Sequence, residues 1–321
     1  MFSHPSILCV TLIIVLATVA CDDSPPRVID PEQSTSSATL LAFDALSGKE
    51  LWRTRTRAAA IEVAVEGANL VVEGGDACDG PRNINALYTR DGVFTRFNPT
   101  SIPKPPCSPT LETPGNALII LSIPDGAESQ LLPGSDGRDV HRVPFVARDR
   151  SSGLELWRVM IPVMGSQPAQ AVVGDTVAIV PYLEIADGNR LLALDVTGGR
   201  ELWQKSIDGW VPASYVQQKI CVSADTVYFL RPGRLQAFDA LTGAMRWETT
   251  ASVPSRGHGA IQCDESTIVA FDPTTVAAFD AAGTSRWAAL LPGGRWPANG
   301  VLADGVFYIG LWGKPLPPRS Q

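Results

Sequence analysis

Histidine is nearly missing from this chain. There are three in 321 residues, and one of them, His4, sits at the very N-terminus. His141 and His258 lie far apart in sequence, which argues against a His-rich metal site or a conventional zinc hydrolase. No two of the six cysteines are adjacent. There is no Walker A loop, no Gly-x-Ser-x-Gly elbow and no His-Glu-x-x-His helix. Charged residues make up only 18% and acids outnumber bases, for a net charge of −7. A face that grips phosphate should be basic, so nucleic acid is not an expected partner. The apolar run from Ile7 to Ala20 is 14 residues, too short to span a bilayer comfortably. What the chain does have is 45% hydrophobic residues, 28 glycines and 26 prolines without a Gly-X-Y period. That balance predicts a folded, turn-rich, all-β protein.

Residues 1–20 contain no Asp, Glu, Lys or Arg and read as a signal peptide. Small residues before a cysteine, Thr18-Val19-Ala20-Cys21, resemble the bacterial lipobox, in which the cysteine becomes the lipidated N-terminus. The alternative is a plain cleaved signal with an incidental cysteine. Residues 21–37, polar and rich in Pro and Ser, then make a flexible tether, and residues 38–321 one domain. The lipobox resemblance implies a periplasm-facing protein of a Gram-negative bacterium, anchored by lipid in the inner or the outer membrane. In enterobacterial lipoproteins an Asp after the cysteine, as Asp22 here, favours the inner one. Export predicts an oxidising compartment, where Cys78, Cys107, Cys221 and Cys263 can pair in three ways.

One motif recurs. "FDALSGKELW" carries Asp44, Gly48 and Trp52; "RDRSSGLELW" carries Asp149, Gly153 and Trp157. "LDVTGGRELW" carries Asp195, Gly199 and Trp203; "FDALTGAMRW" carries Asp239, Gly243 and Trp247. "FDAAGTSRW", one residue shorter, carries Asp280, Gly283 and Trp287. A degenerate copy, "LYTRDGVFTRF", keeps Gly92, with Tyr88 read in place of the Asp and Arg96 in place of the Trp. Steps of about 40–50 residues between strand-like runs are the mark of a β-propeller or solenoid. Asp bonds nearby backbone N–H groups in a tight turn, and Gly accepts the left-handed conformation. The indole is expected to fill the wedge between neighbouring sheets, as packing rather than as a ligand platform.

The motif resembles the PQQ-like, tryptophan-docked repeat family over nearly all of residues 38–312. That resemblance implies a propeller of four-stranded antiparallel blades. Inner strand pairs are expected near 61–75, 108–123, 168–182, 217–231, 259–272 and 297–312. Outer pairs are expected near 38–55, 84–98, 142–161, 190–207, 234–250 and 275–291. Six pairs of each kind predict six blades, although seven or eight occur in propellers of this type. The chain starts on an outer pair and ends on an inner one, so the termini are expected to share a blade and close the ring. "CVSADTVYF" aligns with "CDESTIVAF", which puts Cys221 and Cys263 at matching inner positions of adjacent blades, and Cys78 and Cys107 bracket the degenerate unit. The expected disulfides are therefore 78–107 and 221–263, against the alternative of four free thiols.

Within this family the quinoprotein dehydrogenases bind pyrroloquinoline quinone and Ca²⁺ on the axis. This chain lacks their vicinal cysteine pair, and no axial ligand set can be placed, so no cofactor, metal or catalytic residue is expected. The export signal and repeat are similar instead to the propeller lipoprotein of the outer-membrane β-barrel assembly machinery. That similarity implies a non-catalytic, monomeric scaffold contacting an envelope protein and the membrane through its lipid. A ligand- or carbohydrate-sensing propeller is the second expectation, and a quinone-dependent oxidoreductase the third.

Overall fold

The computed structural model describes residues 38–56, 62–74, 84–98, 119–122, 130–131, 140–149, 152–164, 171–184, 188–207, 219–253, 259–292 and 296–312. All of them belong to the compact unit Thr35–Gln321; the other unit is Met1–Ser34. The described residues form twenty-four strands in six four-stranded antiparallel sheets. Blade 1 joins the two ends of the chain. Its order is β2 (Glu50–Arg55), β1 (Thr39–Asp44), β24 (Val306–Trp312) and β23 (Trp296–Ala303). Blade 2 is β3 (Glu62–Glu66), β4 (Asn69–Gly74), β5 (Ile84–Thr89) and β6 (Phe94–Asn98). Blade 3 holds β7 (Ile119–Ser122), β8 (Gln130–Leu131), β9 (Val140–Asp149) and β10 (Glu155–Met164). Blade 4 is β11 (Val172–Val173), β12 (Val177–Glu184), β13 (Gly188–Asp195) and β14 (Glu201–Ile207). Blade 5 is β15 (Ile220–Ser223), β16 (Thr226–Arg231), β17 (Arg234–Asp239) and β18 (Met245–Thr250). Blade 6 is β19 (Ala260–Cys263), β20 (Thr267–Phe271), β21 (Thr275–Asp280) and β22 (Ser285–Leu290).

Burial follows position in the blade. The middle strands β16, β20 and β21 are buried along nearly their whole length, because a neighbouring sheet covers each face. They are accordingly written as unbroken apolar runs, "TVYFL" and "TIVAF". The outermost strands β2, β18 and β22 alternate half-buried and exposed residues. Among the described residues apolar clusters fill five of the six wedges between consecutive sheets. Val63, Leu70 and Tyr88 meet Leu40 and Tyr308 between blades 1 and 2. Phe145 and Trp157 meet Val180 and Leu194 between blades 3 and 4. Ile179 and Leu191 meet Phe229 and Phe238 between blades 4 and 5, and Tyr228 and Leu235 meet Ile268 and Phe279 between blades 5 and 6. Phe271 and Val276 meet Leu41 and Phe307 between blades 6 and 1.

The fold is thus the all-β propeller expected from the repeat. The closing register runs from Thr39↔Leu311 to Asp44↔Val306, with N-terminal outer strands on C-terminal inner strands. Two details differ from expectation. In blade 3 a single long strand, β9, pairs with both β7 and β8 on one side, in place of a continuous inner strand. In blade 2, Thr89 and not Tyr88 occupies the Asp position. Gly92 N–H donates to the Thr89 carbonyl, the closure Gly283 makes to Asp280 in the other short repeat. Tyr88 is instead a buried core residue. Cys78, Cys107, His258 and residues 1–37, which hold Cys21 and the expected signal peptide and tether, lie outside the described residues.

Candidate interaction surface

The strand registers divide each blade into two ends. In blade 5, Ser223 pairs with Thr226 and Thr226 with Asp239, so the β15–β16 turn and the Asp–Gly turn share one end. Arg231 pairs with Arg234 at the opposite end. The first is called here the turn end.

Each Asp–Gly turn is closed by its own carboxylate. Asp44 Oδ1 accepts from the Ser47 backbone N–H and hydroxyl, both at 2.7 Å. Asp149 does the same with Ser152, both at 2.8 Å. Asp195 accepts from Thr197 and Asp239 from Thr242 in the same way. Asp280, in the short repeat, accepts from the Ala282 and Thr284 backbones. Bonds that need the ionised form favour it. The Ser47 hydroxyl and N–H hold the Asp44 carboxyl below its usual range, and Thr197 does so for Asp195. Asp239 falls to about 2, first because the Arg246 guanidinium bonds it and then because Thr242 does. Arg246 also reaches Asp225 at 2.7 Å, tying the inner turn of the blade to the outer one.

The tryptophans act across blades. Trp52 Nε1 donates to the Arg90 carbonyl, and Trp157 Nε1 to that of Val196. Trp203 donates to Ala240, Trp247 to Ala281 and Trp287 to Ala45. In every case the acceptor is the residue just after the first position of the next blade's turn. The ring lies flat on that turn's glycine. A Cβ added at Gly48, Gly92, Gly199, Gly243 or Gly283 would fall 2.5–2.7 Å from an indole atom of the preceding blade. These glycines serve conformation and proximity together, and only conformation was expected of them. Gly153 is different: it has a φ of +70°, yet nothing among the described residues lies within 4 Å of its Cβ position. The blade before it carries Arg96 at the tryptophan position, where β6 pairs with Leu87.

Toward the axis, Cys221 on β15 and Cys263 on β19 form a disulfide, with Cα atoms 6.0 Å apart. Lys219, just before β15 at the opposite end, is 1% exposed, and its ammonium has no hydrogen-bond partner among the described residues. Burial pushes its pKa down. Nothing in the sequence around Lys219 marks it as buried. Between blades 4 and 5 a cleft of about 150 Å³ is lined by Phe229, Phe238 and Met245 with Lys205 and Arg231. Lys205 Nζ is committed to the Gly243 carbonyl at 3.0 Å and to the Phe238 ring. Among the described residues no group of three or more His, Cys, Asp or Glu could hold a metal ion. No helix among them is long and apolar enough to cross a membrane.

Large exposed apolar side chains gather at the turn end. Leu46 and Leu51 belong to blade 1, Val93 to blade 2, and Leu154 and Leu156 to blade 3. Leu241 and Met245 add a second site on blade 5. Among the described residues only Leu290 of this class lies at the opposite end. Apolar residues grouped on the rim of a rigid scaffold are the usual trace of a protein contact.

Residues 143–300, just under half of the chain, match a family model described as outer membrane protein assembly factor BamB, and this stretch is built of PQQ-like propeller repeats. No curated protein matches the chain in sequence. Solved structures similar to it include BamB from Moraxella catarrhalis, at 16% identity and a TM-score of 0.37, over 85% of this chain and 78% of that one. AztD from Citrobacter koseri is similar at 12% identity and a TM-score of 0.46, over 87% and 99%. Its apo form gives the same identity and coverage with a TM-score of 0.45.

Proposed function

We propose that the chain is a non-catalytic scaffold of the bacterial cell envelope, anchored by lipid on Cys21, that binds a partner protein through the turn end of its propeller. One observation carries this reading: exposed leucine and valine on three consecutive blades, with Leu46 60%, Val93 58% and Leu154 68% exposed. Side chains of this type stay in water at a cost of roughly 1.5–3 kcal/mol each relative to burial, which a docked partner would recover. The assembly-factor description of the matching family model supports a protein rather than a small molecule as the ligand. The five docked indoles support rigidity, because each is held by packing and by a hydrogen bond.

The test is site-specific photo-crosslinking in cells with the full-length chain. The probe amino acid replaces Leu46, Val93 or Leu154 in turn, and Arg234 at the opposite end as the reference. The expected result is one discrete crosslinked protein from the three turn-end positions and none from position 234. Capture from position 234 alone, or none from any turn-end position, overturns the reading. A Cys21→Ala chain that still pellets with membranes would remove the lipid anchor from it.

A further inference from the structure

Five of the six repeat turns receive an indole from the blade before them; among the described residues the turn of blade 3 receives none. We infer that the open position over Gly153 is a docking socket for a tryptophan side chain presented by the partner protein. The inference rests on the scaffold reading and adds to it the chemistry of what docks and the place where it docks.

The described part of the receiving turn, Asp149 with Ser152 and Gly153, has the form of the filled ones. Asp149 caps the turn through Ser152, Gly153 N–H closes it on the Asp149 carbonyl at 2.8 Å, and Gly153 keeps a φ of +70°. These are the features that Gly199 and Gly243 present to Trp157 and Trp203. At those turns the ring stacks on bare glycine backbone, which no other residue would leave open. At Gly153 no heavy atom of the described residues lies within 4 Å of the Cβ position. The five filled sockets state the size and chemistry of the missing group: a flat, apolar ring of indole dimensions carrying one N–H donor.

The surroundings suit such a ring. Leu154 and Leu156, 68% and 49% exposed, follow the glycine, and Val93, 58% exposed, follows the corresponding glycine of blade 2. Leu154, Leu156 and Val93 lie at the turn end, as Gly153 does. Arg148 Nη1 donates to the Gly153 carbonyl at 3.2 Å, placing a guanidinium beside the opening. A cation next to an aromatic face is attractive, and an aliphatic partner side chain would gain nothing from it.

The experiment uses the full-length protein and a small probe, N-acetyl-5-fluorotryptophanamide, followed by fluorine NMR line width. Saturable broadening is expected, displaced by N-acetyltryptophanamide and not by N-acetylleucinamide at the same concentration. Arg96→Trp supplies the missing indole from within the chain and should weaken probe binding at least tenfold. Gly153→Ala puts a methyl group in the socket and should do the same if Arg96→Trp does not fold. Gly233→Ala is the reference, because Gly233 has the same φ of +70° and open surroundings but lies at the opposite end. No saturable binding to the unmodified chain, or equal binding by the unmodified, Arg96→Trp and Gly153→Ala chains, overturns the socket. Self-association that Arg96→Trp abolishes would give the socket to a second copy and overturn the partner assignment. A crosslinked partner without probe binding would remove the socket and leave the scaffold reading standing; probe binding without a crosslink would do the reverse.

Discussion

Blade 3 meets its two neighbours differently. Toward blade 4 it contributes Trp157, 9% exposed, whose ring lies on Gly199 and whose N–H reaches the Val196 carbonyl at 2.8 Å. Toward blade 2 it offers Gly153, which receives no ring from the described residues. The two glycines have nearly the same φ, +67° and +70°. Comparing them separates two demands that the repeat fuses into one residue. A left-handed turn needs glycine to escape Cβ strain, and a docked indole needs glycine for room.

The largest effect should come from removing the docked ring itself. Trp157→Ala deletes a buried aromatic together with the hydrogen bond that orients it. We expect a loss of roughly 3–5 kcal/mol in urea-induced unfolding. A loss below about 1 kcal/mol would mean that the docked ring adds little to its junction, and the contrast would collapse.

The glycines sharpen the contrast. An alanine at either position carries the same backbone penalty of about 1–2 kcal/mol for a non-glycine residue in the left-handed region. At Gly199 the new methyl would also fall 2.6 Å from the Trp157 ring, and at Gly153 it would meet none of the described residues. Overpacking of that kind costs typically 1–3 kcal/mol. Gly199→Ala should therefore be the more destabilising of the two by about that amount, again read by urea unfolding. Equal losses would show that strain alone governs both turns and that Trp157 can shift aside.

Much of this architecture was legible in the sequence. Aspartate, glycine and tryptophan at constant spacing marked the outer strand pairs, and the leftover half-blades at the two ends marked ring closure. Alignment of "CVSADTVYF" with "CDESTIVAF" placed Cys221 and Cys263 on equivalent strands, and the structure joins them. The destination of each indole was not legible. A repeat displays the residues of one unit, whereas Trp52 packs on Gly92 and Trp203 on Gly243, about forty positions onward. The degenerate unit was misaligned by one residue, because its shorter turn brings Thr89 rather than Tyr88 to the capping position. Lys219 escaped notice for another reason: a lysine before a strand carries no sign that its ammonium will be buried.

Acid should reveal the smallest difference, between the turns of blades 3 and 5. Asp149 and Asp239 both cap their turns through a hydroxyl residue. Blade 5 adds Arg246 at the position that Leu156 holds in blade 3. That guanidinium is the main reason Asp239 titrates at about 2 instead of its ordinary 3.8. A carboxyl whose pKa is lowered by folding stabilises the native state fully above its unfolded value. The contribution is lost as pH falls from about 4 through about 2, where the folded chain must also take up the proton. Arg246→Leu gives blade 5 the residue of blade 3. Its Tm should lie slightly below that of the unmodified chain at pH 5–7 and should fall less steeply between pH 4 and pH 2, so that the two curves converge at the acid end. Parallel curves over that window would mean that the Thr242 bonds alone hold Asp239 ionised. Arg246 would then add nothing to the capping of its own turn, although its guanidinium lies 2.7 Å from the Asp239 carboxylate.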